Sequence, residues 1–243
     1  MAARLSIVAT PIGNLEDITL RALRLLKEAD VVACEDTRNT KKLLSHFEIS
    51  TPLVSFHAHS GEAGFSKIIS LLEEGKRVCL VSDAGTPGVS DPGLELVSVV
   101  REHFTEGITI EAVPGASALA AAISVAGMRA ASFTFYGFLP LKKGRETIMK
   151  EIANSSKASV FYESPHRIHK SVKLLITFLQ AREEEGKEIS DRRVGIFREL
   201  TKLHEESFVG SPSEALAYLE SDPNHQRGEF VVIVEGASRA KSE

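Results

Sequence analysis

The sequence predicts an α/β protein of two domains, and three observations carry that prediction. Short β-rich runs alternate with helical patterns over the first 137 residues. The strands read as nearly continuous apolar runs, which fits a largely parallel sheet covered on both faces. Beyond residue 193 two β runs follow one another without a helix between them, which implies a mixed, partly antiparallel sheet. The predicted architecture is therefore a mostly parallel N-terminal sheet domain and a smaller, mixed-sheet C-terminal α/β domain.

The first domain is expected over 1–137. Its strands are LSIVA (5–9), DVVAC (30–34), PLVSF (52–56), RVCLVS (77–82), ITIEAV (108–113) and SFTFYG (132–137). Helical patterns fill the gaps at 20–29, 39–47, 64–75, 94–104 and 116–127. GFLPLKKGRET then resembles a linker or a mobile loop. The second domain is expected over 138–236, with a helix at 145–154, a strand at 159–163 and a helix at 166–180. The highly charged AREEEGKEISDRR reads as a solvated helix end and loop. β runs at 194–200, 203–210 and 229–236 and a short helix at SPSEALAYLE complete the domain, leaving a polar tail at 237–243.

The chain has 243 residues, 43% of them hydrophobic and 26% charged, which excludes a disordered, collagen-like or disulfide-stapled chain. Its two cysteines, Cys34 and Cys79, lie in apolar runs and form no framework, so a reducing cytoplasm is the expectation. The apolar run at the N-terminus is too short for a signal segment, and no stretch reaches the roughly 20 apolar residues of a membrane helix. The formal net charge of −4 argues on average against a polyanion partner. Its distribution does not: the segment 138–173 carries a net of +5 and the rest of the chain −9.

Ligands of open α/β sheets bind beyond the carboxyl ends of the strands. After the first strand comes Thr10-Pro11-Ile12-Gly13-Asn14, a turn that permits close backbone approach. Neither G-x-G-x-x-G nor a phosphate P-loop pattern occurs anywhere. After the second strand, Glu35-Asp36-Thr37-Arg38 reads as an acid/base pair or, more simply, as a helix cap. After the fourth, SDAGTPGVSDPG (82–93) is too long and too glycine-rich for a plain connection. Its backbone groups suit a ligand, and with no Lys or Arg in the loop that ligand is not a phosphate. After the fifth, Pro114-Gly115-Ala116-Ser117-Ala118 suits either a ligand or tight helix–sheet packing. In the second domain, Tyr162-Glu163-Ser164-Pro165-His166-Arg167 and Arg198-Glu199-Leu200-Thr201-Lys202 end two strands that could be neighbours. His57/His59 and His166/His169 lack the companions of a metal site, and no metal is expected.

ATPIGNLEDIT, CEDTR, SDAGTPGVSDPG, VPGASA, FYGFLP, ESPHR, RELTK and GEF together resemble the successive signatures of the ribosomal RNA branch of the tetrapyrrole methylase superfamily. They run in order from residue 9 to about 230. The turns after the first and fourth strands depart from the glycine-rich forms of the small-molecule members. The resemblance implies an S-adenosylmethionine-dependent enzyme that methylates the 2′-hydroxyl of a decoding-centre cytidine in 16S ribosomal RNA of the small subunit. It further implies a cytoplasmic homodimer, with no membrane or DNA partner and the donor bound between two α/β domains. Carried over by position, the donor contacts are Pro11, Ile12, Gly85, Thr86, Val89, Ser117, Ala118, Tyr162 and Leu200. The candidate bases are Glu35, Asp36, Glu163, His166 and Glu199, with Glu163 and Glu199 the first choices. Lys142, Lys143, Arg145, His166, Arg167, Arg198 and Lys202 are expected to contact RNA, and Phe138 and Tyr162 to stack on unpaired bases. The alternatives are a superfamily methyltransferase acting on a small molecule or another RNA, and a non-catalytic ribosome-binding factor.

Overall fold

Strict period-two alternation in the first strands divides their side chains between two helical layers. In a computed structural model, which describes residues 3–56, 61–184 and 192–237, the strands are β1 (Ala3–Val8), β2 (Val31–Cys34), β3 (Leu53–Ser55), β4 (Arg77–Leu80) and β5 (Ile108–Val113). All their pairings are parallel, in the order β3-β2-β4-β1-β5. The connecting helices are α1 (Leu20–Glu28), α2 (Thr37–His46), α3 (Gly61–Glu73) and α4 (Gly93–His103). Val31, Ala33, Val78 and Leu80 pack with Ile68, Leu72, Leu96 and Val100 on one face. Val32, Cys34, Cys79 and Val81 pack with Leu25, Leu26 and Leu44 on the other. Both cysteines are free and buried, and burial pushes the Cys79 thiol up to about 12, so it stays an inert core group.

The caps follow from local chemistry. The Thr19 side chain accepts from the Ala22 N–H at the start of α1, and Asp36 accepts from the Arg38 N–H at the start of α2. β1 connects toward β2 on one side, and β4 connects toward β5 on the other. The switch point of the sheet is thus between the adjacent strands β1 and β4.

The second unit runs from Ala118 to Glu243, and the first from Met1 to Ser117. The second contains α5 (Ala118–Ala126), β6 (Phe133–Phe138), α6 (Arg145–Asn154), β7 (Ala158–Glu163), α7 (Ile168–Glu184), β8 (Val194–Arg198), β9 (Glu206–Gly210), α8 (Pro212–Ser221) and β10 (Phe230–Val234). Its sheet has the order β6-β7-β10-β8-β9, with β6 parallel to β7 and the remaining pairs antiparallel. Ser211 and Glu214 form a reciprocal capping box at α8, with Pro212 in the first turn. The core holds Met149, Ile152, Phe161, Ile168, Val172, Leu175, Ile196 and Val232.

Two expectations are corrected. The sixth strand does not close the first domain at residue 137. It pairs with β7 through the crossover helix α6, so α5 and β6 belong to the second unit, which is not the smaller one. Apolar periodicity identifies a strand without saying which sheet it joins. Nor are β7 and β8 neighbours: β10 lies between them, and its Phe230 stands opposite both Glu163 and Arg198.

Candidate functional site

The first unit gathers its candidate ligand-binding groups at the switch point. Thr10, just past β1, and Gly85, in the loop after β4, form an isolated antiparallel bridge. The Thr10 N–H donates to the Gly85 carbonyl at 2.8 Å, and the Gly85 N–H returns to the Thr10 carbonyl at 3.0 Å. Thr86 Oγ1 donates to the Ala116 carbonyl after β5 at 2.9 Å. The three strand ends are thereby laced into one ledge.

Glycine is required at Gly85: its φ is +79°, and a Cβ there would lie 3.2 Å from Ile12 Cγ2. At Gly115 a Cβ would lie 2.9 Å from the Ala9 Cβ, so the third loop can run close to the first only without a side chain. The long loop is held from inside by Asp91, whose Oδ1 accepts from the N–H groups of Gly88 and Gly93, each at 2.7 Å. Ser90 takes a left-handed φ of +66°. Ile12, Pro11, Thr86, Val89 and Ser117 are all half-buried around this ledge. The ledge offers backbone groups, hydroxyls and small apolar surface, and no Lys or Arg lies in the three loops that form it.

Beside it lie three further carboxylates with different roles. Asp83 Oδ1 accepts from the Asp36 N–H at 3.1 Å, joining the end of β2 to the β4 loop. Asp36 binds the Arg38 guanidinium at 2.7 Å, and the hydrogen bonds from Arg38 hold its carboxyl down at about 2. Glu35 goes the other way: burial first, then the charges of Asp91 and Asp83, raise its proton affinity. Its side chain has no hydrogen-bond partner among the described residues.

In the second unit, the structure corrects the reading of Glu163 as a base. Its carboxylate is fully buried, accepts three hydrogen bonds and pairs with a second guanidinium, that of Arg167, whose Nε–H is directed to Ser164 Oγ at 3.2 Å. Arg167 Nε lies 2.8 Å and the Ser164 N–H 2.9 Å from Oε1. Arg145 Nη2 lies 3.0 Å and Ser171 Oγ 2.5 Å from Oε2. Fully buried and held by three hydrogen bonds and two guanidinium groups, the carboxylate is closed to a substrate hydroxyl. The same cluster removes Arg145 and Arg167 from the set of open phosphate contacts, since their side chains are only 12% and 17% exposed.

Arg198 is likewise buried and engaged with Glu206 at 3.0 Å. Glu199 is turned into a left-handed φ of +51° and binds Lys202 at 2.9 Å. Burial raises the Glu199 carboxyl, but the Lys202 ammonium and the Glu229 N–H outweigh it and the net shift is down, away from a base. Lys202 also binds Glu229 at 2.9 Å. Lys142, Lys143 and His166 are exposed. Tyr162 is half-buried with its ring edge-on to Phe135 and Phe138, and Leu200 is buried. Ala118 opens α5. His169 binds Glu220 at 2.8 Å, while His57 and His59 lie outside the described residues. Among the described residues no group of three or more His, Cys, Asp or Glu side chains could hold a metal, and no helix is long and apolar enough to cross a membrane.

Residues 4–216 match the family model of Tetrapyrrole (Corrin/Porphyrin) Methylases. The chain belongs to the tetrapyrrole methylase family. Within that family its sequence relatives include ribosomal RNA small subunit methyltransferase I of Thermotoga maritima, 43% identical over 233 residues, covering 96% of this chain and 98% of the relative. The enzyme of the same name from Halalkalibacterium halodurans is 46% identical, over 96% of this chain and 75% of the relative. Among solved structures, the methyltransferase CobJ superposes with a TM-score of 0.67 at 20% identity, over 100% of this chain and 98% of that one. The uroporphyrin-III C-methyltransferase of Thermus thermophilus does so with a TM-score of 0.63 at 20% identity, over 96% and 94%. At that identity the structures establish the shared tetrapyrrole methylase fold.

Several residues that shape this site escaped the sequence reading. Thr10 and Ala116 act through backbone groups that any residue would carry. Asp91 shows a signal in retrospect, since an Asp two residues before a glycine is the pattern of a side chain that closes its own turn.

Proposed function

We propose that the protein transfers the methyl group of S-adenosylmethionine to the 2′-hydroxyl of a decoding-centre cytidine in 16S ribosomal RNA. The observation that carries the donor half is the laced ledge at the switch point. A zwitterionic nucleoside with no phosphate calls for backbone donors and acceptors, hydroxyls and small apolar contacts, and the ledge has these, with no Lys or Arg in its three loops. Pro11, Ile12, Gly85, Thr86, Val89 and Ser117 would hold the donor. When bound, the donor supplies an electrophilic methyl group on a sulfonium. The protein's task is to hold an oxygen in line with that group and to take its proton.

Glu35 suits the second task. Its basicity is raised while that of the adjacent Asp36 is suppressed, and such a split separates an acid/base role from a structural one. The RNA half rests on the names borne by relatives at 42–46% identity and on an exposed surface of the second unit. There Phe138, Leu141, Lys142 and Lys143 stand open to solvent, offering a ring for an unpaired base and two ammonium groups for phosphates. The substrate would be the assembled small subunit, and the enzyme a cytoplasmic homodimer.

The second reading, methylation of a tetrapyrrole, draws on structural neighbours at 18–20% identity, which speak to fold alone. Donor binding by calorimetry, followed by assays on purified small subunits and on tetrapyrroles, separates the two. Activity confined to tetrapyrroles overturns the RNA reading, and failure to bind the donor overturns both.

A further inference from the structure

The Glu163 cluster does more than fill a core. Each arginine paired with it also donates to a backbone carbonyl of the loop after β6. Arg167 Nη1 donates to Leu139 at 2.9 Å, and Arg145 Nη1 to Pro140 at 3.2 Å. Ser171, on α7, also accepts from Arg145. One buried anion thus fixes two cations, and the two cations fix consecutive carbonyls of one loop. Planar, forked guanidinium groups are needed for this double duty, since an ammonium offers no such rigid pair of donors.

The segment held in this way has an unusual outer surface. The pairing of β6 with β7 slips between Phe135 and Phe138, and Gly137 sits at the slip with a φ of +62°. This bulge turns Phe138 outward, 55% exposed and edge-on to Tyr162 at 5.5 Å. Leu139 then turns in and is buried, while Leu141 is 77% exposed and Lys142 and Lys143 follow it on the surface. Gly144 ends the loop at a φ of +87° before α6 begins at Arg145. An apolar and cationic platform is therefore pinned at its base by the bulge and by both guanidiniums.

We infer that Glu163 is a positioning residue: through Arg145 and Arg167 it pre-sets the 138–143 loop as a rigid platform for a single-stranded RNA segment. The inference rests on the RNA reading above for its ligand, while the clamp itself can be read without RNA. Ordering the loop before binding removes the entropic cost of ordering it on contact. Loss of the clamp therefore weakens substrate affinity and leaves the chemical step alone.

The test compares the full-length protein with E163Q and R167K. The second variant keeps the charge and loses the fork, so it decides the matter should E163Q fail to fold. In the absence of RNA, a lysine-specific protease should cut after Lys142 and Lys143 about tenfold faster in both variants. Faster cutting at every lysine would mark general unfolding instead, and in both variants it would count against a local clamp. With small subunits as substrate, KM should rise about tenfold while kcat stays within about twofold. Donor affinity by calorimetry should not change. Unchanged cleavage and unchanged KM in both variants overturn the inference. A wild-type protein inactive on small subunits overturns the RNA reading instead, and the cleavage arm still reports on the clamp.

Discussion

Glu35 and Asp36 are sequence neighbours at one strand end with opposite proton affinities. The hydrogen bonds of Arg38 keep Asp36 ionised down to about pH 2, whereas burial and the charges of Asp91 and Asp83 make Glu35 hold its proton to higher pH than an ordinary carboxylate. A base works only when deprotonated, so kcat should fall on the acid side with a midpoint above the usual carboxylate range. E35Q should lower kcat by about 10²–10⁴-fold and remove that acid limb, whereas D36N should keep the limb; single-turnover rates across pH distinguish them. A fully buried carboxylate elsewhere, Glu235, governs stability rather than chemistry. Burial raises its proton affinity, but Arg193 and the N–H groups of Arg129 and Arg193 outweigh this and bring it to about 2. Because the folded value is depressed, its contribution of about 3 kcal/mol is present above pH 4.5 and is lost as pH falls toward 2. Urea unfolding across that range should show the loss in the wild type and a flatter curve in E235Q, which should be less stable at pH 7 by about the same amount.

At the scale of elements, the loop after β4 is the part of the molecule least able to tolerate a side chain. Gly85→Ala adds a Cβ against Ile12 at a positive φ, so the Thr10–Gly85 bridge should open. Donor affinity should fall at least about tenfold, read by calorimetry, for a thermal midpoint that changes by only a few degrees. The sequence displayed this loop clearly, because twelve residues with three glycines and two prolines are more than a β–α connection requires. It also displayed the strands and most helices, whose apolar periods and caps such as Thr19 and Asp36 are local properties. Pairing was hidden. Whether β6 joins β5 or β7, and whether β10 enters between β7 and β8, depends on contacts far apart in the chain. For the same reason Glu163 looked like an available acid. The three side chains that occupy it come from α6, the turn before α7, and α7 itself, and only the packed second unit brings them together.

For the whole molecule, a net charge of −4 coexists with a basic stretch whose buried members do structural work. Of the cations between residues 138 and 173, Arg145 and Arg167 are committed to Glu163, while the six lysines, Lys142 and Lys143 among them, remain on the surface. The salt dependence of RNA affinity should therefore be carried by lysines and not by these two arginines. The double variant K142E/K143E should weaken binding and flatten the log–log salt slope by about 1.4, as two lost single-strand phosphate contacts require. The family assignment, the ledge for a phosphate-free donor and the exposed platform converge on one reaction. Its most direct test incubates the protein with purified small subunits and S-adenosylmethionine labelled in the methyl group, and then maps the label in the RNA. The account predicts a single labelled ribose, methylated at the 2′-oxygen of a decoding-centre cytidine. Label on a base, on another nucleotide, or nowhere in the small-subunit RNA would contradict it.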